Sequence, residues 1–156
     1  LAPGAAWPMK TWPIENWGQL IISLKKFNFV ILGGPDDSFG SKLKLMAPNR
    51  VSDLTGKLNW SETAFIIQKS KATISADTGS LHFADIQGVK TIALMGPTAF
   101  GQPGGRNTSV LEIPMNCRPC TKDGRGKCSQ QIYQKCMIEI TPASVANKVL
   151  EITHDI

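Results

Sequence analysis

Residues 72–82 read Ala72-Thr73-Ile74-Ser75-Ala76-Asp77-Thr78-Gly79-Ser80-Leu81-His82, and this stretch decides the fold. Ala72 to Ala76 has the length and composition of a short buried strand. It stops at Asp77-Thr78-Gly79, and a short helix is predicted from about Ser80 to Gln87. Gly79 lets the backbone turn sharply and come close to a ligand. The amides of Thr78, Gly79 and Ser80 then open a helix, where unpaired N–H groups and the helix dipole favour an anion. A phosphate or diphosphate fits there. Asp77 would repel a phosphate at close range and is better placed to accept hydrogen bonds from sugar hydroxyls. His82, one turn into the helix, is placed to face the same ligand. The plain alternative is an Asp77 helix cap with His82 in the core or on the surface.

Outward from this stretch, strand and helix patterns alternate. A helix is predicted over residues 14–26, with Trp17, Leu20, Ile21 and Leu24 at helical spacing, and a strand over 27–32 that ends in Gly33-Gly34-Pro35. A second helix over 38–46 stops before Pro48, and a short strand over 51–54 closes at Thr55-Gly56. Asn59 reads as an N-cap with Glu62 as its capping-box partner, opening a helix to about Ser70 that buries Ala64 and Ile67. Strands follow at 91–95, ending in Gly96-Pro97-Thr98, and at 109–113. Thr141 and Pro142 start a last helix, with Ala143 to Ile152 supplying its apolar face. This alternation predicts a parallel sheet with helices on both faces. Ligands of such sheets bind outside the carboxyl ends of the strands, at a topological switch point. Three turns lie at those ends: Gly33-Gly34-Pro35-Asp36, Asp77-Thr78-Gly79 and Gly96-Pro97-Thr98. The opening Leu1-Ala2-Pro3-Gly4 reads as the end of a strand entering a turn, so the chain is expected to be a piece of a longer protein.

Composition agrees with one folded domain. The chain has 156 residues, 42% of them hydrophobic and 19% charged, which is far from the composition of a disordered chain. No apolar run approaches the roughly 20 residues that span a bilayer. Seventeen Lys and Arg against twelve Asp and Glu leave a net charge of +5, which fits a phosphate-bearing partner without choosing among them. Much of this charge is local: Arg118, Lys122, Arg125, Lys127 and Lys135 face only Asp123 between Cys117 and Cys136. That segment is either a solvated loop or a surface for such a partner.

Three further groups of residues carry chemistry. Lys10, between Trp7 and Trp12-Pro13 near the opening turn, can supply a point charge to a phosphate or stand solvated beside packing tryptophans. Asp36 and Asp37 follow Gly33-Gly34, where a carboxylate either caps the next helix or binds ribose hydroxyls. Gly33-Gly34 is not a GxGxxG fingerprint, which disfavours a nicotinamide dehydrogenase. Cys117, Cys120, Cys128 and Cys136 form C-x2-C-x7-C-x7-C, whose opening pair is a metal-chelating spacing although the later spacings are not those of a zinc ribbon. Structural zinc, a labile cluster, disulfide pairing and reduced thiols all remain open.

APGAAWPMKTWP, GGPDD, DLTGKLNWSE, SADTGSLHFADIQGVKTIALMGPT and CRPC…C…CM occur in that order. In this order they resemble the C-terminal half of glycosyltransferase family 9, the ADP-heptose:lipopolysaccharide heptosyltransferases. The resemblance covers essentially the whole chain. It implies the Rossmann-like C-terminal domain of a GT-B enzyme over residues 1–156, with a Cys-rich insertion at about 115–138. That domain binds the ADP-sugar donor, while the other half supplies most acceptor contacts and the catalytic base. The resemblance implies that Lys10 and the amides of Thr78 and Gly79 meet the donor diphosphate. Asp77 and His82 lie around the sugar and diphosphate, Asp36 or Asp37 near the ribose, and Leu58 walls the adenine slot. Gly96, Pro97 and Thr98 shape the cleft.

Some family members carry hydroxyl residues where this chain has Ala5 and Ala6, which leaves more of the phosphate binding to Lys10 and to backbone amides. The resemblance implies a lipopolysaccharide-core acceptor, no cofactor for transfer, no nucleic-acid partner, and a cytoplasmic location with peripheral inner-membrane contact. With the base on the other half, this chain alone is expected to bind donor weakly and not to turn over. Two other classes stay in view: a zinc-stabilised nucleic-acid or protein-binding module built on the four cysteines, and a nucleotide-sugar-binding regulator without catalysis.

Overall fold

Five parallel strands form the centre of the computed structural model, which describes residues 1–98 and 101–154. β1 (Phe29–Ile31) pairs with β2 (Val51–Asp53). β3 (Thr73–Ala76), β4 (Thr91–Met95) and β5 (Thr108–Glu112) form a second ladder in that order. The opening residues stitch the two ladders together. Ala2 bridges Ser75 in parallel and its amide donates to the Ile74 carbonyl at 2.9 Å. On the other side the Leu32 amide donates to the Leu1 carbonyl at 2.8 Å. The resulting order is β2-β1-(Leu1–Ala2)-β3-β4-β5. The chain runs outward from Leu1–Ala2 to β2, then returns and runs outward the other way from β3 to β5. The switch point lies between Ala2 and β3, and the carboxyl ends there are the opening turn and Asp77.

Helices cover both faces. On β4 the side chains alternate, as strand geometry requires. Ile92 and Leu94 join the large core with Trp12, Trp17, Leu20 and Ile21 around α1 (Ile14–Ser23) and Val145 and Val149 of α6 (Pro142–Thr153). Ala93 and Met95 pack against Leu81 of α4 (Gly79–Ile86) on the opposite side. Leu43 carries α2 (Phe39–Met46) onto the large core, and Ile67 carries α3 (Trp60–Lys69) against Leu32 and Ala84. Each fully buried aliphatic side chain contributes about 1.5–3 kcal/mol, so β4, buried along its whole length, anchors the sheet.

The local signals explain most boundaries. Asn59 and Glu62 form the reciprocal capping box, with bonds of 2.9 and 2.8 Å. The Thr141 hydroxyl accepts from the Ser144 amide at 3.1 Å and Pro142 takes the first helical position of α6. Most ends fall within one or two residues of expectation; one helix end and one core residue differ more. α1 ends at Ser23, not residue 26, because the Arg50 guanidinium takes the carbonyls of Leu24 and Phe27 at 3.1 and 3.3 Å and turns the chain into β1. Ala64, expected in the core, is only half-buried. A one-turn helix, α5 (Lys135–Ile138), and a 3-10 turn at Pro8–Lys10 have no clear periodic signal.

Candidate functional site

The start of α4 is uncapped. Thr78 is its N-cap residue and makes no side-chain capping bond; its hydroxyl is tied back to Ser75 Oγ at 3.0 Å. Asp77, the alternative cap, is engaged elsewhere. Its Oδ2 lies 3.3 Å from Lys10 Nζ and accepts from the Thr98 hydroxyl at 2.9 Å, while His82 Nε2 stands 3.6 Å from its Oδ1. The Lys10 and Asp77 side chains are only 12% and 10% exposed, so this pair is largely out of water, whereas His82 is 42% exposed. Among the described residues no side chain caps this helix start, which stands beside an ammonium that Asp77 holds.

A cleft of about 800 Å³ opens over this point. Lys10, Asp77, Thr78, Gly79 and His82 line it, as do Asp36, Asp37 and Leu58. Eight residues singled out from the sequence thus meet in one cavity large enough for a nucleotide. Ala5 and Ala6 line it too, with no hydroxyl to offer. Asp36 and Asp37 do not cap α2, whose N-cap is Ser38 without a side-chain bond. Asp37 accepts from the Gly34 amide at 2.8 Å, and a Cβ at either Gly4 or Gly33 would approach its Oδ2 to 2.6 or 2.7 Å. Asp36 is exposed at the cavity.

Several sequence expectations need correcting. Gly79 is the first residue of α4, and a Cβ there would meet the tip of the Trp60 indole at 3.0 Å, so the ring lies close over this glycine. Gly96, Pro97 and Thr98 do not line the cleft; all three are buried. Thr98 reaches the site through Asp77, while the Gly96 and Pro97 carbonyls accept from Arg118 Nε at 2.6 Å and the Cys120 amide at 3.1 Å. Arg118 also bonds the Ile113 carbonyl and Glu112, so its charge is spent on holding the loop to the sheet and not on a surface for a polyanion.

The four cysteines are free thiols. Among the described residues no three His, Cys, Asp or Glu side chains converge to hold a metal ion. Cys136 is buried on α5, and Cys120 is exposed at the Pro97 turn. Burial pushes the Cys120 thiol upward, and the neighbouring Cys117 and Cys128 add to it; burial does the same for Cys136.

Trp60 lines the cleft without having been singled out from the sequence. It is 61% exposed, and its ring stacks on Phe83 at 5.1 Å with an interplanar angle of 20°. An indole supported from behind and open to a cavity is a platform for a flat or apolar ligand face. In the sequence Trp60 shares a helical stripe with Ala64 and Ile67, which reads as core. It is the first residue of α3 and stands exposed at the cleft.

This fold and cleft define a parallel α/β domain with an open cavity at its switch point. The comparisons with known proteins are more specific. The family model of glycosyltransferase family 9 (heptosyltransferase) matches residues 1–133, and the chain belongs to that family. It is 24% identical over 164 aligned residues to lipooligosaccharide heptosyltransferase 2 of Haemophilus influenzae, covering 96% of this chain and 45% of that protein. The solved structure of ADP-heptose lps heptosyltransferase II of E. coli superposes with a TM-score of 0.81 at 21% identity, over 99% of this chain and 45% of that one. E. coli heptosyltransferase WaaC with ADP gives 0.72 at 22% identity, over 97% and 43%. The chain spans less than half the length of these relatives.

Proposed function

We propose that this domain binds the ADP-sugar donor of an inverting glycosyl transfer, with heptose as the sugar and the lipopolysaccharide inner core as acceptor. The observation that carries the reading is the uncapped start of α4 beside the Lys10–Asp77 pair, both facing one cleft. Family membership and the ADP complex of WaaC support it. The diphosphate would take the amides of Thr78 and Gly79 and the Lys10 ammonium. The ribose would meet Asp36, and the adenine would lie toward Leu58 and Trp60.

Transfer passes through an oxocarbenium-like state as negative charge builds on the departing diphosphate. Lys10 and the α4 amides are fixed donors aimed at that charge, and stabilise it without reorganising. Asp77 holds Lys10 in position and offers its remaining oxygen, beside His82, to a sugar hydroxyl. The base that deprotonates the acceptor hydroxyl is, in this reading, supplied by the other half of such an enzyme. Work at the cytoplasmic face of the inner membrane follows from the proposed acceptor. Among the described residues no helix is long and apolar enough to cross a membrane.

Parallel calorimetric titrations with ADP, NAD and RNA test the reading. ADP is expected to bind tightest, with RNA binding negligible at physiological salt. RNA tighter than ADP, or NAD equal to it, would overturn it.

A further inference from the structure

A lysine on a short turn at a cleft mouth is costly to hold still, since its side chain carries about 2 kcal/mol of rotamer entropy. Lys10 belongs to a three-residue 3-10 turn and yet its side chain is only 12% exposed. What covers it comes from more than 110 positions away in sequence, in the Cys-rich segment 117–136. Gly124 is buried with φ +98, and a Cβ there would stand 2.9 Å from Cγ and 3.0 Å from Cδ of Lys10. Only glycine takes that backbone conformation freely and lies that close to the lysine stem. Gln134 donates its side-chain amide to the Pro8 carbonyl and, at 3.4 Å, to the Thr11 carbonyl, which brackets the turn that carries Lys10. Arg125 lies over the Trp7 ring at 5.0 Å, next to the same turn.

The segment also grips the other half of the ion pair. Thr121 pairs in parallel with Thr98, and its amide donates to the Pro97 carbonyl at 3.3 Å. Thr98 in turn donates to Asp77. One lobe therefore holds the Lys10 stem from above and the Asp77 carboxylate through Thr98.

We infer that the Cys-rich lobe is the positioning element for the Lys10 ammonium, through Gly124 on its stem and Gln134 on its turn. The inference rests on the donor reading above, because the role of Lys10 there is to meet a diphosphate. It assigns the lobe a task that does not depend on metal or on thiol oxidation: fixing one charge against the diphosphate end of the ligand and leaving the nucleoside end alone.

The test is a double-mutant cycle read by calorimetry with ADP and adenosine on the wild type, Gln134→Ala, Lys10→Met and the double variant. Gln134→Ala is expected to weaken ADP about fivefold, within the range of coupling between contacting residues, and to leave adenosine unchanged. In the Lys10→Met background the same substitution is expected to have no effect on ADP. An unchanged ADP affinity in Gln134→Ala, equal losses for ADP and adenosine, or the same loss in both backgrounds would each overturn the inference. If thermal melting shows Gln134→Ala unfolded, Gly124→Ala takes its place in the cycle with the same outcomes. A wild type that does not bind ADP at all sinks the donor reading itself, which separates that failure from this one.

Discussion

The β3–α4 turn and the Cys-rich lobe both touch Lys10, the first at its ammonium and the second along its stem, and they are legible in different ways. The turn is built from neighbours in sequence: a buried strand, an acidic residue, a glycine and an uncapped helix start, within the eleven residues from 72 to 82. The lobe works only through contacts that span the whole chain, such as Gln134 to Pro8 and Gly124 to Lys10. Its basic residues read either as a solvated loop or as a surface for a phosphate-bearing partner; in the fold Arg118 bonds the Gly96 carbonyl, Arg125 lies on Trp7 and Lys135 pairs with Glu139. The difference teaches that local chemistry can be read along the chain, whereas the device that aims it belongs to the tertiary structure.

The sharpest way to break this contrast is to remove the carboxylate both regions share. Asp77→Ala leaves the Lys10 ammonium and the Thr98 hydroxyl without their partner in a largely buried place. Urea unfolding is expected to show a loss of about 3 kcal/mol, whereas Lys127→Ala, an exposed change in the lobe, should stay within about 0.5 kcal/mol. Similar losses for both would erase the distinction.

Trp60 comes next in size. If its indole is the platform at the adenine end, Trp60→Ala weakens ADP by about 1 kcal/mol, the low end for base–aromatic stacking, and Trp60→Phe restores most of it. Pyrophosphate affinity should not change. A loss of pyrophosphate binding in Trp60→Ala would show that the ring supports the α4 start instead.

Two smaller effects concern titration. Burial raises the Asp85 carboxyl, but hydrogen bonds from the Thr108 hydroxyl and the Gly105 and Gly104 amides outweigh it, and the group lies below its ordinary 3.8. Its folded form holds a proton less readily than its unfolded form. Its stabilising contribution is therefore complete above about pH 4 and is lost as pH falls through the lowered value. Asp85→Asn should flatten the acid limb of a stability–pH curve, and an unaltered limb would contradict the assignment. In the lobe the raised Cys120 and Cys136 thiols have the opposite sign, so stability declines as pH rises above the ordinary 9.0. At pH 7 Cys120 should alkylate more slowly than a free thiol of its exposure, as mass spectrometry of iodoacetamide-treated protein would show.

How much was legible follows the same division. The parallel α/β order, the Asn59–Glu62 box and the Thr141–Pro142 start are written in short-range patterns and formed as read. So did the gathering of Lys10, Asp77, Thr78, Gly79, His82, Asp36, Asp37 and Leu58 in one cleft, because strand ends of a parallel sheet converge at its switch point. Trp60 was hidden because helical periodicity cannot show that the first residue of a stripe stands exposed at a cleft. The support role of Gly96 and Pro97 was hidden because it depends on a loop that folds back from residues 118–121. Residues 1–2 gave only half their meaning: a strand end was legible, its place between two ladders was not.

The most direct measurement is the affinity of Lys10→Ala for ADP and for adenosine beside the wild type. If the ammonium and the α4 amides together cradle a diphosphate, the substitution weakens ADP roughly tenfold or more, the scale of one charge-assisted contact, and leaves adenosine as it was. An unchanged ADP affinity, or an equal loss for both ligands, would contradict that cradle.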